Sequence, residues 1–148
     1  MLEKLAKGSD KAVALKALSQ MSDLKPNNAL TSLLGEMMKS DDREIALVAA
    51  IITCYSGNWS GFESLIAAVD DSDPKLRKKA AAQLGDVQFI RHKDRIQTCL
   101  LRRLTKETNP AALERVIGSL GTYPSEEVKK RIAPFLKLLN RTFTLLSV

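Results

Sequence analysis

Apolar residues along this chain recur at intervals of three and four, with polar residues filling the gaps. The clearest run is residues 73–85, where Leu76, Ala80 and Leu84 fall on one face of a helix. The alanines beside them are small enough to let a neighbouring helix come close. Asp73 suits the N-cap and Pro74 the first helical position, where no amide donor is needed. Gly85 suits a left-handed C-cap.

The same register recurs. Aligning the starts Ser9-Asp10, Asp41-Asp42, Ser72-Asp73 and Thr108-Asn109 gives spacings of 32, 31 and 36 residues. Three residues after each cap stand Val13, Ile45, Leu76 and Ala112; seven after, Ala17, Ala49, Ala80 and Val116; eleven after, Met21, Thr53, Leu84 and Leu120. One residue further on, the third and fourth copies place Gly85 and Gly121, and the first two Ser22 and Cys54. The intervening segments also read as helices. Asn27 or Asn28 can cap one carrying Leu30, Leu33, Leu34, Met37 and Met38. Phe62, Leu65, Ile66 and Val69 mark a short one ending at Asp70-Asp71. A third, from His92 to Lys106, aligns Ile96, Leu100 and Leu104. Ser125-Glu126-Glu127 opens a last helix with Val128, Ile132, Phe135 and Leu139 inward, in which Pro134 predicts a kink or break near residue 133. Only Thr142 to Val148 hints at a period of two. The pattern predicts an all-α chain of eight or nine helices in antiparallel pairs, stacked as a short right-handed solenoid.

Residues 73–85, Asp-Pro-x-Leu-Arg-x-x-Ala-Ala-x-x-Leu-Gly, resemble the second helix of a HEAT repeat. The third copy carries that signature whole, Arg77 included. The fourth keeps Asn109-Pro110 and Gly121 but has Leu113 where the Arg would stand, and the first two follow by register. The resemblance covers most of residues 9–121. It implies about four HEAT-like helix pairs in a single domain spanning residues 1–148. It also implies a structural Arg77, reaching a neighbouring repeat's Asp or backbone carbonyl, with Asp42 or Asp73 as its candidate partners.

Composition narrows the class. An apolar fraction of 45% with 27% charged residues suits an ordinary globular domain. No run approaches a membrane span, and the charged, amphipathic start is no signal peptide, so the expected location is the cytoplasm. Cys54 and Cys99 then read as buried thiols in a reducing compartment. Charge is unevenly divided. Residues 1–71 carry seven Lys and Arg against ten Asp and Glu, and residues 72–148 carry sixteen against seven. On a helical wheel Arg91, Arg95, Arg102 and Lys106 fall within about 60° of one another, opposite Leu100. Lys75, Lys78 and Lys79 share the outward face of the preceding repeat helix, and Lys130, Lys137 and Arg141 that of the last. These faces are either solvated surface or a site for an acidic partner.

Catalytic signals are missing. The single histidine, His92, and two distant cysteines make no zinc set, and no nucleophile elbow or phosphate-binding glycine loop occurs. No cofactor or metal is expected. Trp59, in the loop Ser56-Gly-Asn-Trp-Ser-Gly61, is either a staple closing a helix pair or an anchor for a partner. The apolar tail from Arg141 to Val148 either caps the stack or docks on another chain. The expected function is therefore a non-catalytic protein interaction module, a scaffold, adaptor, chaperone or inhibitor. It would bind an acidic protein through Lys75, Lys78, Lys79, Arg91, Arg95, Arg102, Lys106 and Trp59. Nucleic-acid backbone binding through the same basic half is the alternative. The resemblance reaches HEAT-like DNA glycosylases and HEAT-like enzymes acting on phycobilins, but transfers no catalytic residue from either.

Overall fold

The computed structural model describes residues 2–8 and 10–146, with side chains as far as residue 137. Among these residues the chain is all-helical, with no strand. The helices are α1 (Leu2–Ala6), α2 (Lys11–Met21), α3 (Asn28–Met37), α4 (Arg43–Tyr55), α5 (Phe62–Ala68), α6 (Pro74–Leu84), α7 (Lys93–Leu104), α8 (Pro110–Thr122) and α9 (Glu126–Leu146). Short 3-10 segments, Trp59–Gly61 and Val87–His92, lead into α5 and α7. The chain divides into two compact units, residues 1–68 and 69–148.

The aligned caps hold. Asp10, Asp42, Asp73 and Asn109 each sit in extended backbone and accept a hydrogen bond from a first-turn amide of α2, α4, α6 and α8. The seventh and eleventh positions after each cap are all buried, from Ala17 to Leu120. Thr53, the polar member, donates its hydroxyl to the Ala49 carbonyl at 2.7 Å, so its burial leaves no group unsatisfied. The third position is buried in α4, α6 and α8, but Val13 in α2 is 39% exposed. The start at Ser9 lies outside the described residues.

In the first unit α4 is central, packed on α2, α3 and α5. Its core includes Leu18, Leu34 and Ile52, while α5 buries Phe62 and Leu65. Gly61 lies against the Ala50 carbonyl, where a Cβ would collide with the backbone. Lys11 Nζ, at the start of α2, meets Asp42 and Glu44 at the start of α4, both at 3.1 Å.

In the second unit α8 is central, packed on α6, α7 and α9. Ser119 Oγ donates to the Ala81 carbonyl at 2.5 Å, and the Tyr123 hydroxyl to the carbonyls of Leu84 (2.6 Å) and Asp86 (3.0 Å). These bonds join the C-terminal ends of α6 and α8, while Arg77 and Glu107 join their N-terminal ends, so the two helices run parallel. Ile96, Leu100 and Leu104 form the buried stripe of α7.

Three expectations need correction. Gly85 is not a left-handed cap: its φ is −78°, and Gly57 alone among the described residues has positive φ. Gly85 is small because a Cβ there would run into Ser119 of α8. Of the kink or break expected near residue 133, the break does not occur: the last helix passes through Pro134. Pro134 and Lys130, whose carbonyl loses its amide partner, are both exposed. Thr142 to Leu146 continues that helix rather than forming a strand. Val128 is buried, and Ile132 and Phe135 are half-buried. The inward place given to Leu139, the outward place of Arg141, and the capping or docking role of the tail concern side chains outside the described residues.

Candidate functional site

The second unit is organised around a buried carboxylate that the sequence did not single out. Glu107 lies in the turn before α8, its side chain fully removed from solvent. Arg77 on α6 donates Nε to Oε2 at 2.8 Å and Nη2 to Oε1 at 2.9 Å. Arg103 on α7 donates Nε to Oε2 at 2.9 Å, and the Asn109 amide donates to Oε1 at 3.0 Å. Burial alone would raise the Glu107 pKa. The bonds from Arg77, the Asn109 amide and Arg103 outweigh it and hold the carboxyl at about 2.

Arg77 is thus structural, but its acid is Glu107 rather than Asp42 or Asp73. Its Nη1 also donates to the carbonyls of Asp71 (2.9 Å) and Ser72 (3.2 Å). Arg103 continues the chain of contacts to Asp70 at 3.3 Å, and Arg102 meets the other oxygen of Asp70 at 2.6 Å. One connected network therefore ties the turn before α6, the end of α7 and the turn before α8.

A sequence signal for Glu107 existed. Two residues ahead of a cap, a polar side chain accepts the capping residue's own amide: Ser40 for Asp42 at 3.2 Å, Asp71 for Asp73 at 2.8 Å and Glu107 for Asn109. The repeat register extends to that position, and its third occupant faces the arginine of the copy before it.

The acids of the second unit are divided: Glu107 is buried, Asp71, Asp73 and Asp86 are half-buried, and Asp70, Asp94, Glu114, Glu126 and Glu127 are exposed. Residues 69–148 carry sixteen Lys and Arg against nine Asp and Glu. Of those acids, Asp70 and Glu107 hold arginines, while Asp71, Asp73 and Asp86 accept backbone amides. Lys75, Lys78 and Lys79 stand exposed along α6, and Lys106 is exposed just past α7. None of these four pairs with a carboxylate among the described residues. Arg91 is exposed in the 3-10 segment ahead of α7, and Arg95 is exposed on α7 itself. Arg102 is half-exposed and already bound to Asp70, so it is not a spare cation.

Trp59 belongs to the first unit. Its ring is half-buried and meets the buried Phe62 edge-on, with centroids 6.4 Å apart and planes at 76°. That contact is local, between the 3-10 segment and the first residue of α5. Cys54 and Cys99 are buried free thiols, each pushed up to about 11 by burial, which disfavours thiolate chemistry. His92 is half-buried at the start of α7 and does not cap it. Among the described residues no cluster of His, Cys, Asp or Glu could hold a metal ion, and no helix is long and apolar enough to cross a membrane. No family model matches the chain, and no curated protein matches it in sequence.

Proposed function

We propose that this chain is a non-catalytic interaction module built of HEAT-like helix pairs, which binds an acidic protein through the exposed cations of residues 69–148. The observation that carries the reading is the sorting of charge in that unit. Its exposed cations, Lys75, Lys78, Lys79 and Lys106 among them, outnumber its exposed carboxylates, Asp70, Asp94, Glu114, Glu126 and Glu127, while Glu107 is engaged by Arg77 and Arg103. A surface excess of cations over carboxylates steers and orients an acidic partner. The four matched caps and their buried positions support the repeat reading, and stacked helix pairs offer extended surfaces for binding proteins. Scaffold, adaptor, chaperone and inhibitor are all roles of that class. Buried, unreactive cysteines suit a reducing compartment such as the cytoplasm.

The test is capture of partners by the immobilised protein, alongside a variant carrying Lys75→Glu, Lys78→Glu and Lys79→Glu. An acidic protein retained by the parent and lost by the variant is the expected result. Retention by both would place the contact elsewhere. Capture of nucleic acid alone, with affinity falling steeply as salt rises, would favour the backbone-binding alternative.

A further inference from the structure

Four, eight and twelve residues after the cap of α6 stand Arg77, Ala81 and Gly85, and all three meet the copy that follows. Arg77 holds Glu107, the Ala81 carbonyl accepts the Ser119 hydroxyl, and Gly85 lies against Ser119. The same places along α8 hold Leu113, Ile117 and Gly121. Among the described residues no helix stacks on them as α8 stacks on α6. α9 reaches this side through Ile132 and Leu136, and an open groove of about 860 Å³ remains over Ile117 and Gly121. A Cβ on Gly121 meets nothing within 4 Å, whereas one on Gly85 runs into Ser119. The receiving half of the α6–α8 contact is thus repeated on α8 and left open.

The entering half is repeated as well. α8 turns Ala112, Ser119 and Tyr123 toward α6, three, ten and fourteen residues after its cap, and all three are buried. The corresponding residues of the first copy are Val13, Gln20 and Leu24. All three are exposed, Val13 by 39% and Leu24 by 48%. With Leu5 on α1, Val13 and Leu24 are the large apolar side chains left exposed among the described residues of the first unit. The outer end of a stack of helix pairs needs a polar face to stay soluble alone, and this one is apolar.

Charge does not oppose a contact between the two surfaces. The groove lining carries Arg115 with Asp86 and Glu114. The ridge carries Lys16 between Val13 and Gln20, and Asp23 beside Leu24, both exposed. Neither side holds an excess that would repel the other.

We propose that the groove on α8 receives α2 of a second copy of this chain, stacked parallel to α8 as α8 stacks on α6, with Gln20 over Gly121 and with Val13 and Leu24 covered. The contact continues an interface that the fold already contains, and it stands apart from the acidic-partner reading. Its two faces differ, so it is heterologous: each copy offers both, and copies join head to tail.

Sedimentation velocity of the full chain, run at rising concentration, should show species larger than one copy. Val13→Glu spoils the ridge and Gly121→Leu fills the groove. Both positions are exposed, so each variant should keep its helical circular dichroism and weaken self-association at least tenfold. Gly118→Leu fills the same groove from a position that also meets nothing within 4 Å, and replaces Gly121→Leu should that variant lose its fold. Mixed, the ridge variant and the groove variant should form a one-to-one pair and nothing larger, because each keeps the half that the other lacks. A parent chain that stays monomeric up to its solubility limit would overturn the proposal. Undiminished assembly of either variant would place the contact on other surfaces, and a mixture that stays monomeric would show that the two faces do not meet each other.

Discussion

Arg77 grips Glu107 through two parallel hydrogen bonds of 2.8 and 2.9 Å, and its remaining nitrogen holds the carbonyls of Asp71 and Ser72. The planar fork of the guanidinium makes all of these contacts at once. A lysine ammonium cannot, so Arg77→Lys is not conservative here. Removing one partner of a buried pair leaves the other charge uncompensated. Arg77→Ala should cost about 3–5 kcal/mol, and Arg77→Lys a substantial part of that, read from urea denaturation midpoints. A lysine variant as stable as the parent would mean that the fork is not the source of its strength.

The same pair sets a pH dependence. Glu107 is held at about 2 in the fold, against an ordinary value of 4.5. Its folded pKa is depressed, so the unfolded chain takes up the proton first as pH falls. The contribution is present in full above about pH 4.5, declines through that range, and is gone below about pH 2. The shift corresponds to about 3 kcal/mol. Stability should therefore fall across this acid window, and Glu107→Gln should flatten that part of the profile while lowering stability near neutrality. An unchanged acid slope in Glu107→Gln would show that other carboxylates account for it.

The repeat register was readable because capping chemistry and a three-to-four spacing are local. Asp10, Asp42, Asp73 and Asn109, and the buried Ala and Leu positions behind them, follow from neighbours within one helix. What escaped depends on contacts between helices. Arg77 finds its acid 30 residues away, in a turn whose geometry no periodicity describes. Arg102 looks like its neighbours on a helical wheel, yet Asp70 ties it down from 32 residues back. Gly85 after a helix suggests a left-handed cap, and only the approach of Ser119 reveals the other reason for a missing Cβ. Charge totals located the basic half, but that Arg77, Arg102 and Arg103 are tied down by Glu107 and Asp70 was decided by contacts between helices.

The glycines of the second unit should respond with opposite sign. Gly85→Ala places a methyl against Ser119 and should destabilise by about 1–3 kcal/mol, as overpacking does. Replacing Ser119 by glycine in that background should recover part of the loss, less the hydrogen bond to Ala81. Gly118→Ala meets open space inside α8 and should stabilise by roughly 0.5–1 kcal/mol. Thermal melts of the two single variants are enough to check the ordering, and a stabilising Gly85→Ala would mean that α6 and α8 lie further apart than described.

Charge reversal along α7 and its end should separate surface cations from structural ones. Lys106 is exposed and unpaired among the described residues, so Lys106→Glu should change stability by no more than about 0.5 kcal/mol. Arg102 is half-exposed and shares Asp70 with Arg103. Arg102→Glu loses one exposed pair and sets a carboxylate beside Asp70, for a cost of about 1 kcal/mol. Arg103 is different in kind. Its side chain is 14% exposed and supplies one of the hydrogen bonds to the buried Glu107. Arg103→Glu would press a second carboxylate onto a buried one and should cost at least as much as breaking a buried pair, about 3–5 kcal/mol. Urea titrations of the three variants should therefore rank them Lys106, Arg102, Arg103 in increasing damage. If Arg103→Glu were as mild as Lys106→Glu, Glu107 would have to be solvated, and the buried network through which it holds Arg77 and Arg103 would fail with it.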